Sequence, residues 1–459
     1  MSEAASSTSS AGTVRSNRLL SSIDRFFRIS ERGSNFRCEL LAGLTTFSTL
    51  SYILVVNPMI MSASGMDYGA LITATAVVGA VFTVMMGLWT NYPLAMAPGM
   101  GVNALLAYQV CQGMHVPWQG ALGLVFYSGI LFFILSVTGL RKLIIDSFPG
   151  YFKKIVSVGI GFFLAYLGLK NCGLLVANPR TMIGLGSLAS PGVLLPFIGI
   201  AITVVMTYRR VPAALVLSIL LISITGLFLP GSHPHTTLTM LPGRFFDWPG
   251  SMGKVFLQLD FGYFWTHLNL CLPIVLAILF GDLFSAMATL LAVCGLAKLT
   301  DENGDLPKLK QALTADATAA MGAALLGTNT PVIYIESAAG AEAGGRTGLV
   351  SIVVAICYLA ALFFTPVIAA VPAIATGPVL VVIGIFMAQG LGELKFADLT
   401  VAATFLVTML LMVLTSASDG LALGFIVCVL IHLLTGRAKE IKPAAYALVG
   451  LFLLHYLFP

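Results

Sequence analysis

Residues 268–297 form an apolar run whose only charge, Asp282, lies at its midpoint. A run of that length crosses the hydrocarbon core of a bilayer, where a central carboxylate costs about 2.5–3.5 kcal/mol on insertion scales. Such a group needs a protein partner or a watery cavity, which makes Asp282 a candidate transport-site residue. A second acid, Glu336, falls in the short broken segment 329–340, between helix-compatible apolar stretches. The chain is 58% hydrophobic and 9% charged, which excludes an ordinary soluble globule and points to an integral membrane protein.

Dividing the apolar runs at Gly, Pro and charged breaks gives spans near 40–63, 69–89, 94–112, 119–139, 151–176, 191–208, 211–229, 264–297, 309–328, 329–343, 347–371, 372–390, 398–416 and 418–435. These are about fourteen transmembrane segments, seven on each side of an extracytoplasmic loop at 230–263. A last stretch, 444–458, reads as a further span or an interfacial helix. Charge tests the map independently, because cytoplasmic loops collect Lys and Arg. Twenty of the 24 basic residues fall in the N-terminal tail or in loops after even-numbered spans. That parity places the N-terminus in the cytoplasm.

The tail, 1–39, is Ser-rich with six arginines, and has no cleavage-type site after a short apolar core, so it reads as cytoplasmic rather than as a signal peptide. Leu19, Leu20, Ile23, Phe26, Phe27 and Ile29 repeat at helical spacing and predict an interfacial amphipathic helix, with a disordered leader as the alternative. The seven cysteines lie mostly inside apolar runs without short paired spacing, so neither a disulfide framework nor a zinc site is expected. The basic residues cap apolar runs instead of lining one face, which argues against a nucleic-acid partner. A phosphate loop of the G-x-x-x-x-G-K-[ST] type does not occur, nor does H-E-x-x-H. The histidines (115, 233, 235, 267, 432 and 455) lie in loops or near span ends. An enzyme is therefore not expected, and no cofactor or metal is called for.

The third and tenth segments differ from the rest. One opens with Ala95-Met-Ala-Pro-Gly-Met-Gly-Val-Asn-Ala104 and the other with Gly327-Thr-Asn-Thr-Pro331 leading to Glu336. Gly/Pro-broken segments at corresponding places in two halves point to a transporter site, where half-helix N-termini aim free N–H groups at a midplane ligand. With an odd number of spans per half, the two halves must be inverted relative to each other. The glycines 99, 101, 344, 345 and 348 suit close helix packing and unwound backbone.

The stretches Glu39–Pro58, Ala97–Ala104, Tyr334–Gly340 with Gly344–Gly348, and Ser418-Asp-Gly420 resemble the AzgA-like purine permeases, a branch of the nucleobase:cation symporters with the uracil-transporter fold. The similarity runs through nearly the whole chain from about Ile23. It implies an all-α membrane protein with a seven-plus-seven inverted repeat. A core domain (40–150 and 264–371) would move against a gate domain (151–229 and 372–435), followed by a C-terminal segment, 436–459. It implies purine binding between the two broken segments. By position, Asn103, Asp282, Glu336 and Asp419 match family residues tied to binding, coupling or folding. One departure stands out. The family usually shows Asp-x-x-Asp-Thr-x-Gly-Thr in the eighth span, where this chain has Asp282-Leu-Phe-Ser285-Ala286-Met-Ala288-Thr289.

Each residue also has a plainer reading. Glu336 either accepts hydrogen bonds from a purine edge or caps its broken segment. Asp282 is a base contact, a proton carrier or a buried partner for a basic residue. Asn103 offers an amide to a base or satisfies local backbone, Asp419 caps a gate helix, and Tyr334 and Phe47 either stack on a base or pack. Ser285 can donate and accept but cannot titrate near neutral pH. The expectation is a secondary transporter importing adenine, guanine or hypoxanthine by an elevator-type motion, coupled to protons, with sodium as the other ion. Its partners would be the base and the lipid bilayer, with a homodimer left open. The alternatives are a small-anion carrier on the same fold, a channel and a non-transporting receptor.

Overall fold

The computed structural model describes residues 21–138, 149–178, 182–231, 237–300, 306–414 and 417–457. Leu19 and Leu20 of the expected amphipathic helix, Arg141 and Lys142, Arg180, and His233 and His235 lie outside them. The described chain begins with a helix at 21–27, in which Phe27, together with Ile29 just beyond it, packs on Leu349 while Phe26 stays exposed. That segment is thus docked on the protein along one side.

The first half runs through α1 (Phe36–Leu50), α2 (Ile53–Ser62) and α3 (Tyr68–Thr90). Asn35 caps α1 by accepting from the Cys38 N–H, and Asp67 caps α3 by accepting from the Ala70 N–H. Asn91, in the left-handed region at φ 56°, ends α3. The third segment is then broken, as its Pro and Gly content predicts: β1 (Met96–Pro98), the single turn α4 (Met100–Ala104) and a π-helical stretch at Leu105–Gly113. After α5 (Trp118–Thr138) and α6 (Gly150–Asn171), a hairpin of β2 (Leu175–Asn178) and β3 (Met182–Leu185) leads to α7 (Pro191–Tyr208) and α8 (Ala214–Gly226).

The second half starts with α9 (Gly262–Thr266), α10 (Leu268–Leu296) and α11 (Leu309–Leu326). The tenth segment is also broken, into β4 (Pro331–Ile333) and α12 (Ser337–Glu342). There follow α13 (Leu349–Ala361), α14 (Thr365–Ala369), α15 (Ala373–Met387), α16 (Leu399–Leu414), α17 (Ala417–Leu434) and α18 (Pro443–Leu457). Among the described residues, seven helical stretches are long and apolar enough to cross a membrane, and four shorter apolar helices accompany them. The stretch 444–458 is helical through Leu457.

Elements of the two halves interlock. α5 lies along α11, α3 along α13, and α6 along α15. The last pair touches backbone to backbone: a Cβ on Gly161 would lie 2.6 Å from the Gly384 carbonyl oxygen, and one on Gly168 would lie 2.7 Å from that of Gly377. In lipid, where apolar burial does not drive helices together, such small-residue seams supply the packing. The α5–α11 seam is alanine-rich, with Ala312, Ala315, Ala319, Ala320 and Ala323 all buried.

The loop at 237–261 is stitched to helix ends of both halves. Thr239 N–H donates to Gly226, whereas Asp247, Leu257 and Asp260 donate to the carbonyls of Phe363, Leu325 and Gln119. Lys254 pairs with Asp67 and holds that carboxyl below its usual range through a side-chain hydrogen bond.

Candidate functional site

The two broken segments meet. β1 and β4 pair antiparallel with Met96 opposite Ile333, Ala97 opposite Val332 and Pro98 opposite Pro331. The ladder continues at both ends: Gly99 N–H donates to Thr330 O at 2.9 Å past the prolines, and Tyr334 N–H to Ala95 O at 3.0 Å at the other end. Side chains lock the junction. Asn329 donates to Gly99 O at 2.9 Å, the Tyr334 hydroxyl to Pro98 O at 2.7 Å, and Ser337 Oγ accepts from Ala95 N–H at 3.0 Å. Non-helical backbone at membrane depth survives only where its polar groups are paired inside the protein, and this cross-brace does that. Two short half-helices, α4 and α12, start beside it.

Polar side chains gather around the junction. Asn103, fully buried on α4, donates to Asn57 Oδ1 at 3.1 Å, and Asn57 in turn donates to Thr75 at 2.8 Å and Thr328 at 3.2 Å. The Oδ1 of Asn103 has no partner. On the other side, Tyr52 donates its hydroxyl to Glu336 Oε1 at 2.6 Å. Glu336 stands at the N-cap position of α12, but its side chain makes no cap bond. Tyr358 lies within electrostatic range of Glu336 and its hydroxyl is buried without a partner.

Asp282 is 3% exposed, midway along α10, with Thr330, the residue just before β4, as the neighbour whose side chain acts on it. Ser285, three residues on, shares its helix face and is partly buried. Asp316 on α11 is 1% exposed, and neither of its carboxylate oxygens has a donor. Both α10 and α11 pack on β4.

A sequence profile of the permease family matches residues 37–419. The chain belongs to this family. The adenine permease AdeP of Escherichia coli is 34% identical over 95% of this chain and 96% of its own length. The guanine/hypoxanthine permease PbuG of Bacillus subtilis is 37% identical over 94% and 99%. Among solved structures, the transmembrane domain of the cyanobacterial bicarbonate transporter BicA superposes with a TM-score of 0.61 at 17% identity, covering 83% of this chain and 97% of that one. That likeness concerns the fold. Apolar helices in a family of permeases make this an integral membrane transport protein.

In this permease the structure brings four of the expected residues to the junction: Asn103, Tyr334, Glu336 and Asp282, with Ser285 beside the last. Tyr334 is 5% exposed with its hydroxyl committed to Pro98, so its ring packs and braces. Phe47 is half-buried and meets Tyr358 edge to face at 5.5 Å, in the same cluster as Tyr52 and Tyr334. Asp419 lies apart, in the first turn of α17, where an acid complements the helix dipole. Sequence reasoning passed over Tyr52, Asn57 and Asp316. Asp316 shows in the sequence as a charge inside a small-residue stretch, although nothing local says that it is enclosed, whereas the partner of Tyr52 is 284 positions away and those of Asn57 lie from 18 to 271 positions away. Among the described residues no group of three or more His, Cys, Asp or Glu side chains is placed to hold a metal ion.

Proposed function

We propose that this permease imports purine nucleobases, with adenine, guanine and hypoxanthine as the candidate cargoes, by proton-coupled secondary transport. The observation that carries this reading is the pair of acids, Asp282 and Glu336, flanking the crossed β1–β4 junction together with the unpartnered Oδ1 of Asn103. Purine edges present N–H donors, and buried acceptors left unpaired by a wrong cargo would be costly, so recognition is selective. The names of AdeP and PbuG support the class. An acidic site disfavours the small-anion reading, although BicA shares the fold.

Fourteen segments in a seven-plus-seven inverted repeat fit the pairing of equivalents. The third segment joins the tenth, the fifth lies along the twelfth, and the fourth–ninth seam mirrors the second–eleventh one. In this reading the junction rides on a core domain that moves against a gate built on the α6–α15 seam, with Asp282 carrying the proton. The N-terminus is cytoplasmic by the distribution of basic residues.

Uptake of labelled bases and nucleosides into proteoliposomes under imposed proton or sodium gradients tests the reading. Purine bases should accumulate under a proton gradient. Glu336→Gln should abolish most of that uptake in a protein that still folds, because the amide presents donors where the carboxylate offered only acceptors. Accumulation of an anion but no base, or parental affinity in Glu336→Gln, would overturn it.

A further inference from the structure

We propose that residues 240–248 form a lipid-facing anchor that seats the long loop in the membrane interface. By sequence the stretch belongs to a loop outside the bilayer. Its contacts place it beside a membrane span.

α13 continues through a 3₁₀ turn (Leu362–Phe364) into α14 as one apolar stretch, Leu349–Ala369, long enough to cross a membrane. Ile356, Leu359 and Phe364 lie on its exposed side, at the spacing of one helix face turned to lipid. The helix breaks near its end. Pro366 has no N–H for the Leu362 carbonyl, which takes the Thr365 hydroxyl at 2.5 Å instead. At this break the loop attaches, with Asp247 N–H donating to Phe363 O at 3.0 Å. Phe246 stacks on Phe363 with ring centroids 5.3 Å apart and meets Phe364 edge to face at 6.1 Å, and Trp248 meets Phe363 at 5.8 Å. The aromatic surface of the loop is thus continuous with the lipid-facing side of the span.

The loop is two-sided. Val255 and Leu259 are buried against the helices, whereas Met240, Leu241, Phe245, Phe246 and Trp248 are exposed, the last at 79%. Five large apolar side chains within nine residues are costly to leave in water, and the surface they extend already faces lipid, so their occupant is lipid. Trp favours the membrane–water boundary, and the exposed Arg244 has a stem that lies along acyl chains while its guanidinium reaches the headgroups. Irregular backbone limits the depth, because its N–H and C=O groups need water or headgroups as partners.

The anchor holds one face of the bundle. The loop binds the starts of α3 (Lys254 to Asp67) and α5 (Asp260 to Gln119), and the ends of α8 (Thr239 to Gly226), α11 (Leu257 to Leu325) and α13 (Asp247 to Phe363). In the core-and-gate reading above, Gly226 closes a gate helix and the other four points belong to the core. Residues 240–246 are then the tether between the two, and lipid fixes its depth while the core moves. That role rests on the proposed function; the anchor itself does not.

The experiment uses the full-length protein in vesicles of phosphatidylcholine and phosphatidylglycerol, where the difference in emission between the parent and Trp248→Phe isolates Trp248. Lipids brominated near the headgroup should remove most of that emission, lipids brominated near the chain ends should remove less, and iodide in the water should remove little. Adding Leu241→Trp to Trp248→Phe should restore an emission with the same pattern. Should Trp248→Phe fail to fold, Leu241→Trp in the parent supplies the emission instead. Quenching by iodide but not by bromine would make this an aqueous loop, and shielding from both would mean a cover of protein, such as a second copy; either overturns the anchor. Quenching is read without transport, so a protein that shows the expected pattern yet carries no base keeps the anchor and loses the proposed function.

Discussion

Replacing Tyr52 with Phe removes one oxygen and should cost this permease about 10- to 100-fold in base affinity. Tyr52 is 1% exposed at the α1–α2 joint, packed among Leu50, Ile53, Val354 and Tyr358, and its hydroxyl donates to Glu336 Oε1 at 2.6 Å. The ring keeps its place in the variant, so packing changes little. What disappears is a hydrogen bond to a charged group, worth about 1.5–3 kcal/mol when one partner is deleted. At about 1.4 kcal/mol per decade that range is the stated fold-change, provided the bond orients Glu336 in the base-bound state. Binding of labelled adenine, guanine and hypoxanthine to purified protein gives the affinity, and thermal unfolding in the same detergent gives the stability. Affinity should fall while the melting temperature shifts by only a few degrees. Unchanged or tighter binding would refute the argument, since it would mean that the phenol competes with the base for Glu336. A loss of affinity that merely tracks a collapse in stability would mean that the bond is a strut of the fold.

Two further substitutions probe the site and its frame. Ser285→Asp adds a second acid one turn from Asp282 on the same face of α10, and should shift base preference or ion dependence measured in the uptake panel; a profile identical to the parent's would make the Ser at that position neutral. Gly348→Ala would drive a Cβ into the Gly87 carbonyl where α3 and α13 touch, and should destabilise the protein by about 1–3 kcal/mol as overpacking does, seen as a lower melting temperature, whereas a parental melting curve would contradict the close approach.

The broken segments were legible because their cause is local. Pro98 and Pro331 lack the N–H a helix needs, and Gly99 carries no side chain to press on Val332 of the second strand. The register between them was not legible, because it is fixed by a ladder joining residues more than 230 positions apart, with Gly99 N–H on Thr330 O. That register decides individual fates. It puts the Tyr334 hydroxyl on Pro98 O, so a residue that could have stacked on a base becomes a brace. It also leaves Glu336 facing Tyr52 and not its own helix N-terminus, which removes the capping reading.

Asp316 shows the converse limit. Read along the chain, Thr-Ala-Asp-Ala-Thr resembles the polar edge of a small-residue helix, and nothing local says that the acid is enclosed. Enclosure comes from the neighbours: a Cβ on Gly129 of α5 would lie 2.9 Å from the Met321 backbone nitrogen, so α5 lies directly against α11, and Gly322 takes the ring of Phe82 from α3. The alanines that make the helix look unremarkable are thus what let two other helices seal it. A small-residue seam has a second consequence besides tight packing, since it supplies no side chain able to neutralise a charge placed within it. A charge held there finds no compensation in its surroundings, as the two partnerless oxygens of Asp316 show.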